Sequence, residues 1–363
     1  MSTRTQPAPR HFEAIADRFF ESRHLAAARH VIDVIGGEHN LRLAFVSGSL
    51  AAGLGHGMSD VDLYVAPKPG HQVDNSGHLV DGVIVHVAPM TEAVVDLIAR
   101  TSREYVAGRR VRSQIELSDN DLLWSVRYAI GAVLVDDGLD LPDPAQAKLT
   151  LRRVIMARSA AKVSGCAEDA LGALQVADAL TALQASQMAL ENALECVFAG
   201  IGDLYLGRKF LPRRIARAAA LRDIAPQIWD QLWLDPSGGM PAVNALVERR
   251  LRLSVYLAGV AQLDGWDEPI GHVRPVGDHE HLGGPLRSPW IVPLRLATEW
   301  GMAGPDCGFA TKAGMIRLWL ELDGRPLDRL HRELATHPAF AGTPQDLLTT
   351  AVSRLVQKNV ATA

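Results

Sequence analysis

The chain is short of cysteine, of charge of one sign and of long apolar runs, and each shortage removes a class of protein. Its three cysteines, Cys166, Cys196 and Cys307, lie far apart and form no C-x-x-C pair. Neither a disulfide framework nor a zinc site is indicated, and the three read as buried free thiols. Lys and Arg number 37 against 41 Asp and Glu, a formal net charge of −4 over 363 residues. That balance gives no global field for coating nucleic acid or an anionic membrane, so nucleic acid is not an expected partner, although local basic patches stay open. No segment approaches the roughly 18 consecutive apolar residues of a membrane span. The first twenty residues also lack an apolar core followed by a small-residue cleavage site. No membrane partner is expected, and the cytosol is the expected location. The patterns G-x-x-x-x-G-K-S/T and G-x-S-x-G and the kinase signature set are missing too, which sets those chemistries aside. What is present is an apolar content of 48%, enough for sizeable cores in two or three globular domains.

Along the chain, FEAIADRFFESRHLAAARHVIDVI has helical spacing of apolar residues and ends at Gly36-Gly37. Short apolar runs of β character follow: LRLAFVS, DVDLYVA, HLV and VIVHVA, the last two separated by Asp81-Gly82, a dipeptide suited to a type I′ hairpin turn. TEAVVDLIART reads as a helix and YAIGAVLVDDG as a further strand, so residues 1–144 form an α/β domain with a mixed sheet. Residues 145–264 are Ala/Leu-rich with few turn signals and read as an all-α helical domain lining an acceptor cleft. Prolines, glycines and histidines then cluster in a linker over 265–289. Residues 290–363 open with strand-like WIVPLRLATEW and CGFATK and continue with three helical stretches, a small α+β domain. Thr343 and Pro344 suit the N-cap and first turn of the last helix. Trp229, Trp233, Trp290, Trp300 and Trp319 read as core or domain-contact anchors.

The informative stretch is AFVSGSLAAGLGHGMSDVDLYV, residues 44–65. An apolar strand runs into Gly48-Ser49, where a turn without a side chain lets backbone amides and the Ser49 hydroxyl approach a phosphate. Ser59 then precedes Asp60-Val61-Asp62-Leu63-Tyr64-Val65, and strand alternation puts Asp60 and Asp62 on one face while Val61, Leu63 and Val65 enter the core. Adjacent carboxylates repel, and a hard divalent cation with oxygen ligands relieves them; Mg²⁺ also keeps coordination sites for triphosphate oxygens.

This stretch resembles the signature of the DNA polymerase β-type nucleotidyltransferases, a Gly-Ser followed after a short helical loop by D-x-D inside an apolar strand. It is most similar to the small-molecule branch that includes kanamycin nucleotidyltransferase, where S-D-V-D-L-Y-V is typical and a helical domain follows. The resemblance extends more loosely over residues 15–140. It implies a nucleoside triphosphate, ATP being the expected one, held by Gly48, Ser49 and Ser59, with Mg²⁺ on Asp60 and Asp62. It implies transfer of the nucleoside monophosphate to a hydroxyl of a small molecule or peptide, with pyrophosphate leaving. The family's third carboxylate lies on a later strand; here that strand is VIVHVAP and the matching position holds His86. Four readings stay open: the imidazole is a ligand or base, the third carboxylate lies elsewhere, the domain binds nucleotide without transferring it, or His86 is simply packed. Asp81 is already explained as a turn residue.

Two further residues enter through the resemblance. In related aminoglycoside-modifying enzymes a glutamate outside the metal strand serves as general base. Glu191, which shares a helix face with Glu195, is the candidate beside the alternative of a solvated helix carboxylate. GDLYLGRKFLPRRIARA resembles the lysine-bearing stretch after the helical core of related transferases, so Lys209 is a candidate triphosphate contact, or part of a solvated basic helix end. His272, His279 and His281 with Asp278 and Glu280 match no zinc spacing and read as a polar loop. The last 50 or so residues resemble the winged-helix-like fold of peptide-recognition domains, which implies an extended peptide added to a strand edge. A packing or dimerisation module, and hence a homodimer, is the alternative.

Overall fold

The computed structural model describes residues 21–233, 238–277, 282–305 and 307–362. The start of the expected N-terminal helix, with Asp278, His279, Glu280 and His281, lies outside them.

The first part is a five-stranded mixed sheet. Its elements are α1 (Ser22–Val34), β1 (Leu41–Ser47), α2 (Gly48–Ala51), β2 (Val61–Pro67), β3 (Ser76–Val80), β4 (Val83–Pro89), α3 (Glu92–Arg103), α4 (Asp119–Ile130) and β5 (Ala132–Asp136). The strand order is β3-β4-β2-β1-β5, with β2 and β4 parallel and the other neighbours antiparallel. Asp81 and Gly82 both take positive φ, 48° and 77°, as a type I′ turn between β3 and β4 requires. Thr91 caps α3, its hydroxyl accepting from the Val94 amide at 3.4 Å. YAIGAVLVDDG is divided: Tyr128 to Ile130 finish α4, and the strand begins only at Ala132. Gly131 explains the break. A Cβ there would stand 2.8 Å from the Arg127 carbonyl and 2.9 Å from Phe45 and the Val46 carbonyl, so the helix can turn down onto β1 only where no side chain intervenes.

The two faces of the sheet are treated differently. Ala27, Ala28, Val31 and Ile32 of α1 cover the back, packed on the fully buried Val61, Leu63, Val65, Val85 and Val87, each contributing about 2 kcal/mol of hydrophobic stabilisation. On the front, Tyr64 stacks on Phe45 at 5.0 Å and meets Trp124 of α4 edge-on at 5.5 Å. The β3–β4 side of that face is open: Leu79, Ile84 and His86 are exposed.

The second part is helical: α5 (Pro144–Gln175), α6 (Ala179–Gly200), α7 (Leu211–Arg217), α8 (Ala225–Trp233) and α9 (Gly239–Asp264). Asp143 caps α5 ahead of Pro144. Cys196 is fully buried between α5 and α9, its thiol donating to the Met156 carbonyl at 3.4 Å, and Cys166 is buried as well. Burial pushes both thiols up, so neither is a ready nucleophile. Cys307 is half-buried rather than buried. Trp319 is wholly enclosed, whereas Trp233 is 72% exposed and is not part of the core.

The stretch expected as a linker is fastened down through its described part. Arg152 donates to the Trp266 carbonyl at 3.0 Å and to that of Asp267, the Ile270 amide donates to Gly200, and Val273 to Ala220. Beyond it come β6 (Leu286–Arg287), β7 (Val292–Arg295), β8 (Trp300–Gly304), β9 (Cys307–Thr311), α10 (Ala313–Leu320), α11 (Leu327–Ala335), α12 (Gln345–Gln357) and β10 (Ala361–Thr362). β7, β8 and β9 form an antiparallel meander, and β10 returns to pair with β6. The last helix is capped at Pro344 rather than Thr343, with no side-chain cap bond. This part shares its core with the helices: Gln262 donates to Pro293 O at 2.7 Å and accepts from the Arg295 amide at 2.8 Å, and Gly259 sits against Leu320 and Pro293. One continuous apolar core therefore runs from Phe45 in the sheet through α5 and α9 to Trp319.

Candidate functional site

The site lies where the C-terminal end of β1 meets the N-terminal ends of β2 and β4. Strand register brings three sequence-distant positions side by side, with Asp62 paired to Ser47 on one flank and to His86 on the other. Gly48 opens the short turn of helix after β1 with φ +91°. A Cβ at Gly48 would stand 1.9 Å from Asp62 Oδ2, so only glycine lets the Asp62 carboxylate lie against the backbone. Ser47 is fully buried next to it, and its hydroxyl has no hydrogen-bond partner among the described residues.

Asp60 and Asp62 take the same side of β2, but each meets its own neighbour. Asp60 Oδ2 is 3.1 Å from His86 Nε2, with side chains 43% and 51% exposed. Asp62 is deeper, and desolvation pushes its carboxyl above the usual range, aided by Asp60 and opposed by Arg127 and His86. Two carboxylates suit a Mg²⁺ ion that arrives on a triphosphate, because such ions are held by one or two protein carboxylates plus phosphate oxygens. Among the described residues, no group of three His, Cys, Asp or Glu side chains is placed to hold a metal. His86 supplies nitrogen where a hard cation prefers oxygen.

Of the residues expected around the phosphates, Ser49 is half-buried, and its carbonyl accepts from the Leu54 amide at 2.8 Å. The Ser59 hydroxyl closes its own turn by accepting from the His56 amide at 2.9 Å. The basic helix end does come to this loop. Arg213 donates to the carbonyls of Leu54 and Gly55 at 2.6 and 2.8 Å, and Arg217 to Ala52 at 2.9 Å. Arg214, fully enclosed, forms a forked pair with Glu195 at 2.8 and 2.9 Å, lies over the Phe198 ring and meets Asp203. Lys209 is exposed, and among the described residues its charge meets only the Phe210 ring, 5.1 Å away. That ring packs with Leu54 and Tyr205 into a small cluster beneath the loop.

Glu191 is not a solvated helix carboxylate. Its side chain is largely buried, 2.8 Å from Arg208 Nε, and accepts from Gln187 at 3.3 Å. No described contact joins it to Asp60, Asp62 or His86. His272 pairs with Asp223 at 2.8 Å, away from the candidate site.

One residue at the site went unnoticed in the sequence. Arg127, near the end of α4, lies 5.0 Å from the centre of the Tyr205 ring, and its charge reaches both Asp62 and Tyr64. No local motif marks it; its place follows from α4 descending onto β1 at Gly131.

No known family model matches the chain, and no curated protein matches it in sequence. Among solved structures, a nucleotidyltransferase-like protein from Exiguobacterium sibiricum 255-15 is similar over 66% of this chain and 78% of its own, at 11% identity and a TM-score of 0.35. No helix among the described residues is long and apolar enough to cross a membrane.

Proposed function

We propose that the protein transfers a nucleoside monophosphate from a nucleoside triphosphate, ATP being the expected donor, to a hydroxyl of a small molecule or peptide. The observation that carries this reading is the close packing of Gly48 against the Asp62 carboxylate, with His86 beside Asp62 and paired to Asp60. In the reaction the acceptor oxygen bonds to the α-phosphorus as the bond to the pyrophosphate oxygen breaks. A Mg²⁺ ion on Asp60 and Asp62 would supply neutralisation of the triphosphate charge.

The chain's own part is positioning and proton handling. Gly48 and Ser49 offer the phosphates a turn unobstructed by a side chain. Asp60 Oδ2 stands 3.1 Å from His86 Nε2 and holds the imidazole beside Asp62, where the neutral ring is placed to take the acceptor's proton. Gly77 sits opposite His86 on β3, where a Cβ would touch Nδ1 and Cε1 at 3.5 Å and glycine places none. That edge of the ring is therefore not covered by a neighbouring side chain from β3. Pyrophosphate release measured with the four ribonucleoside triphosphates, in wild type, Asp60→Asn and Asp62→Asn, tests the proposal. Equal release by all three proteins sinks it.

A second reading has its own observation. With no group of three metal-binding side chains among the described residues and a histidine in the third place, the fold also suits a catalytically silent nucleotide binder that recruits a peptide or protein through the β6–β10 part. Nucleotide binding without turnover for any acceptor would favour it.

A further inference from the structure

We propose that Arg127 is a phosphate-binding residue of this site, its guanidinium taking an anionic oxygen of the bound nucleotide between Asp62 and Tyr205. This rests on the nucleotide reading above and adds a residue that no motif supplied.

Three observations converge on it. First, Arg127 Nε and Nη1 are buried, and neither has a hydrogen-bond partner among the described residues. No Arg127 nitrogen lies within ion-pair distance of a described carboxylate, although its charge reaches Asp62 and Tyr64. A buried cation with unused donors is costly unless something else meets them. Second, the side chain is placed rather than loose. Tyr205 lies under the guanidinium at 5.0 Å and is itself held edge-on by Phe210 at 5.6 Å. One helical turn after Arg127 the helix comes down on β1 at Gly131, where any side chain would strike Phe45 and the Val46 carbonyl. Third, the neighbouring cations are already engaged. Arg213 and Arg217 are bonded to the carbonyls of Leu54, Gly55 and Ala52, and Arg214 to Glu195 and Asp203. Of these arginines Arg127 alone has no side-chain hydrogen bond or ion pair among the described residues.

The chemistry points to phosphate. A guanidinium presents a rigid planar fork that matches two oxygens of one phosphate, and it stays charged beside a neutral or ionised carboxyl. An alternative is that Arg127 only balances the charge of Asp62. That role needs no fork, and the two groups are not in ion-pair contact.

The test is calorimetric titration of the full chain with inorganic triphosphate, with Mg²⁺ and with a chelator, for wild type, R127M, R127K and D62N, alongside thermal unfolding. We expect R127M to weaken triphosphate affinity roughly 10- to 100-fold in both conditions, and R127K to regain only part of that, because lysine restores charge without the fork. Should R127M fail to fold, R127K decides: a clear loss supports the assignment. Affinity in R127K equal to wild type, or in a folded R127M equal to wild type, overturns it while the nucleotide reading stands. Wild type that binds no triphosphate under either condition overturns both. Loss in D62N with Mg²⁺ but none in R127M would leave metal-dependent binding intact and remove Arg127 from it.

Discussion

Gly48 and Asp62 share a space that admits only one side chain: a Cβ at position 48 would stand 1.9 Å from the Asp62 carboxylate oxygen, in a backbone conformation of φ +91° that disfavours any other residue. Gly48→Ala must therefore displace Asp62 and strain the turn together. We expect a loss of about 1–3 kcal/mol in urea unfolding and a much larger proportional loss of triphosphate affinity. Unchanged affinity would show that the carboxylate position is not used.

His86→Ala should lower turnover by roughly 10²–10⁴-fold, as for removal of a general base, with a smaller effect on triphosphate affinity. His86→Asp should keep or raise activity by adding an oxygen donor beside Asp62. Pyrophosphate release separates the outcomes. Wild type inactive with His86→Asp active makes the natural chain a silent binder, whereas a fully active His86→Ala makes the histidine structural.

The pH dependence of binding follows from Asp62. Burial raises its carboxyl above the ordinary range, so in the absence of cation it takes up its proton at a higher pH than a solvent-exposed aspartate. Mg²⁺-dependent triphosphate affinity should therefore fall as pH drops through that raised value, and rising Mg²⁺ should move the fall to lower pH by competing with the proton. Titrations between about pH 4 and 8, with Asp62→Asn as control, check this; a limb that survives in Asp62→Asn belongs to another group.

Glu195→Ala should destabilise the protein by about 3 kcal/mol, because it strips the enclosed Arg214 of its forked partner. Arg213 and Arg217 sit on the same short helix as Arg214 and hold the loop after Gly48-Ser49. Chemical denaturation reads the first effect, and a companion fall in triphosphate affinity reads the second.

Gly259→Val should destabilise by about 1–3 kcal/mol by overpacking against Leu320 and Pro293, and unfolding should remain a single transition because the core is continuous. A chain ending at residue 285 should melt lower throughout rather than lose one transition of two. Calorimetry distinguishes these outcomes.

Local chemistry made much of the sheet readable. Asp81-Gly82 names its turn, and Val61, Leu63 and Val65 name the buried side of β2, so Asp60 and Asp62 could be placed on the other side before any fold was known. The resemblance put His86 at the place of a third carboxylate, but its pairing with Asp62 came only with the fold, since strand order is not written in either segment. Arg127 was invisible because its position depends on a helix turning down at Gly131, a contact between residues about 85 apart along the chain. Helical periodicity could not show that Glu191 faces Arg208 instead of solvent, because it lies on the polar side of α6 and its partner comes from a separate segment.

The bonds from Arg213 and Arg217 to the carbonyls of Ala52, Leu54 and Gly55 have a thermodynamic consequence for ligand capture. The loop after Gly48-Ser49 is held by the fold itself, so the entropy of arranging it is spent during folding and not again at each encounter with a ligand. Association should then need no slow closing step of that loop, and mutations that free it should appear mainly as slower capture of ligand, with the ordering transferred to the binding event.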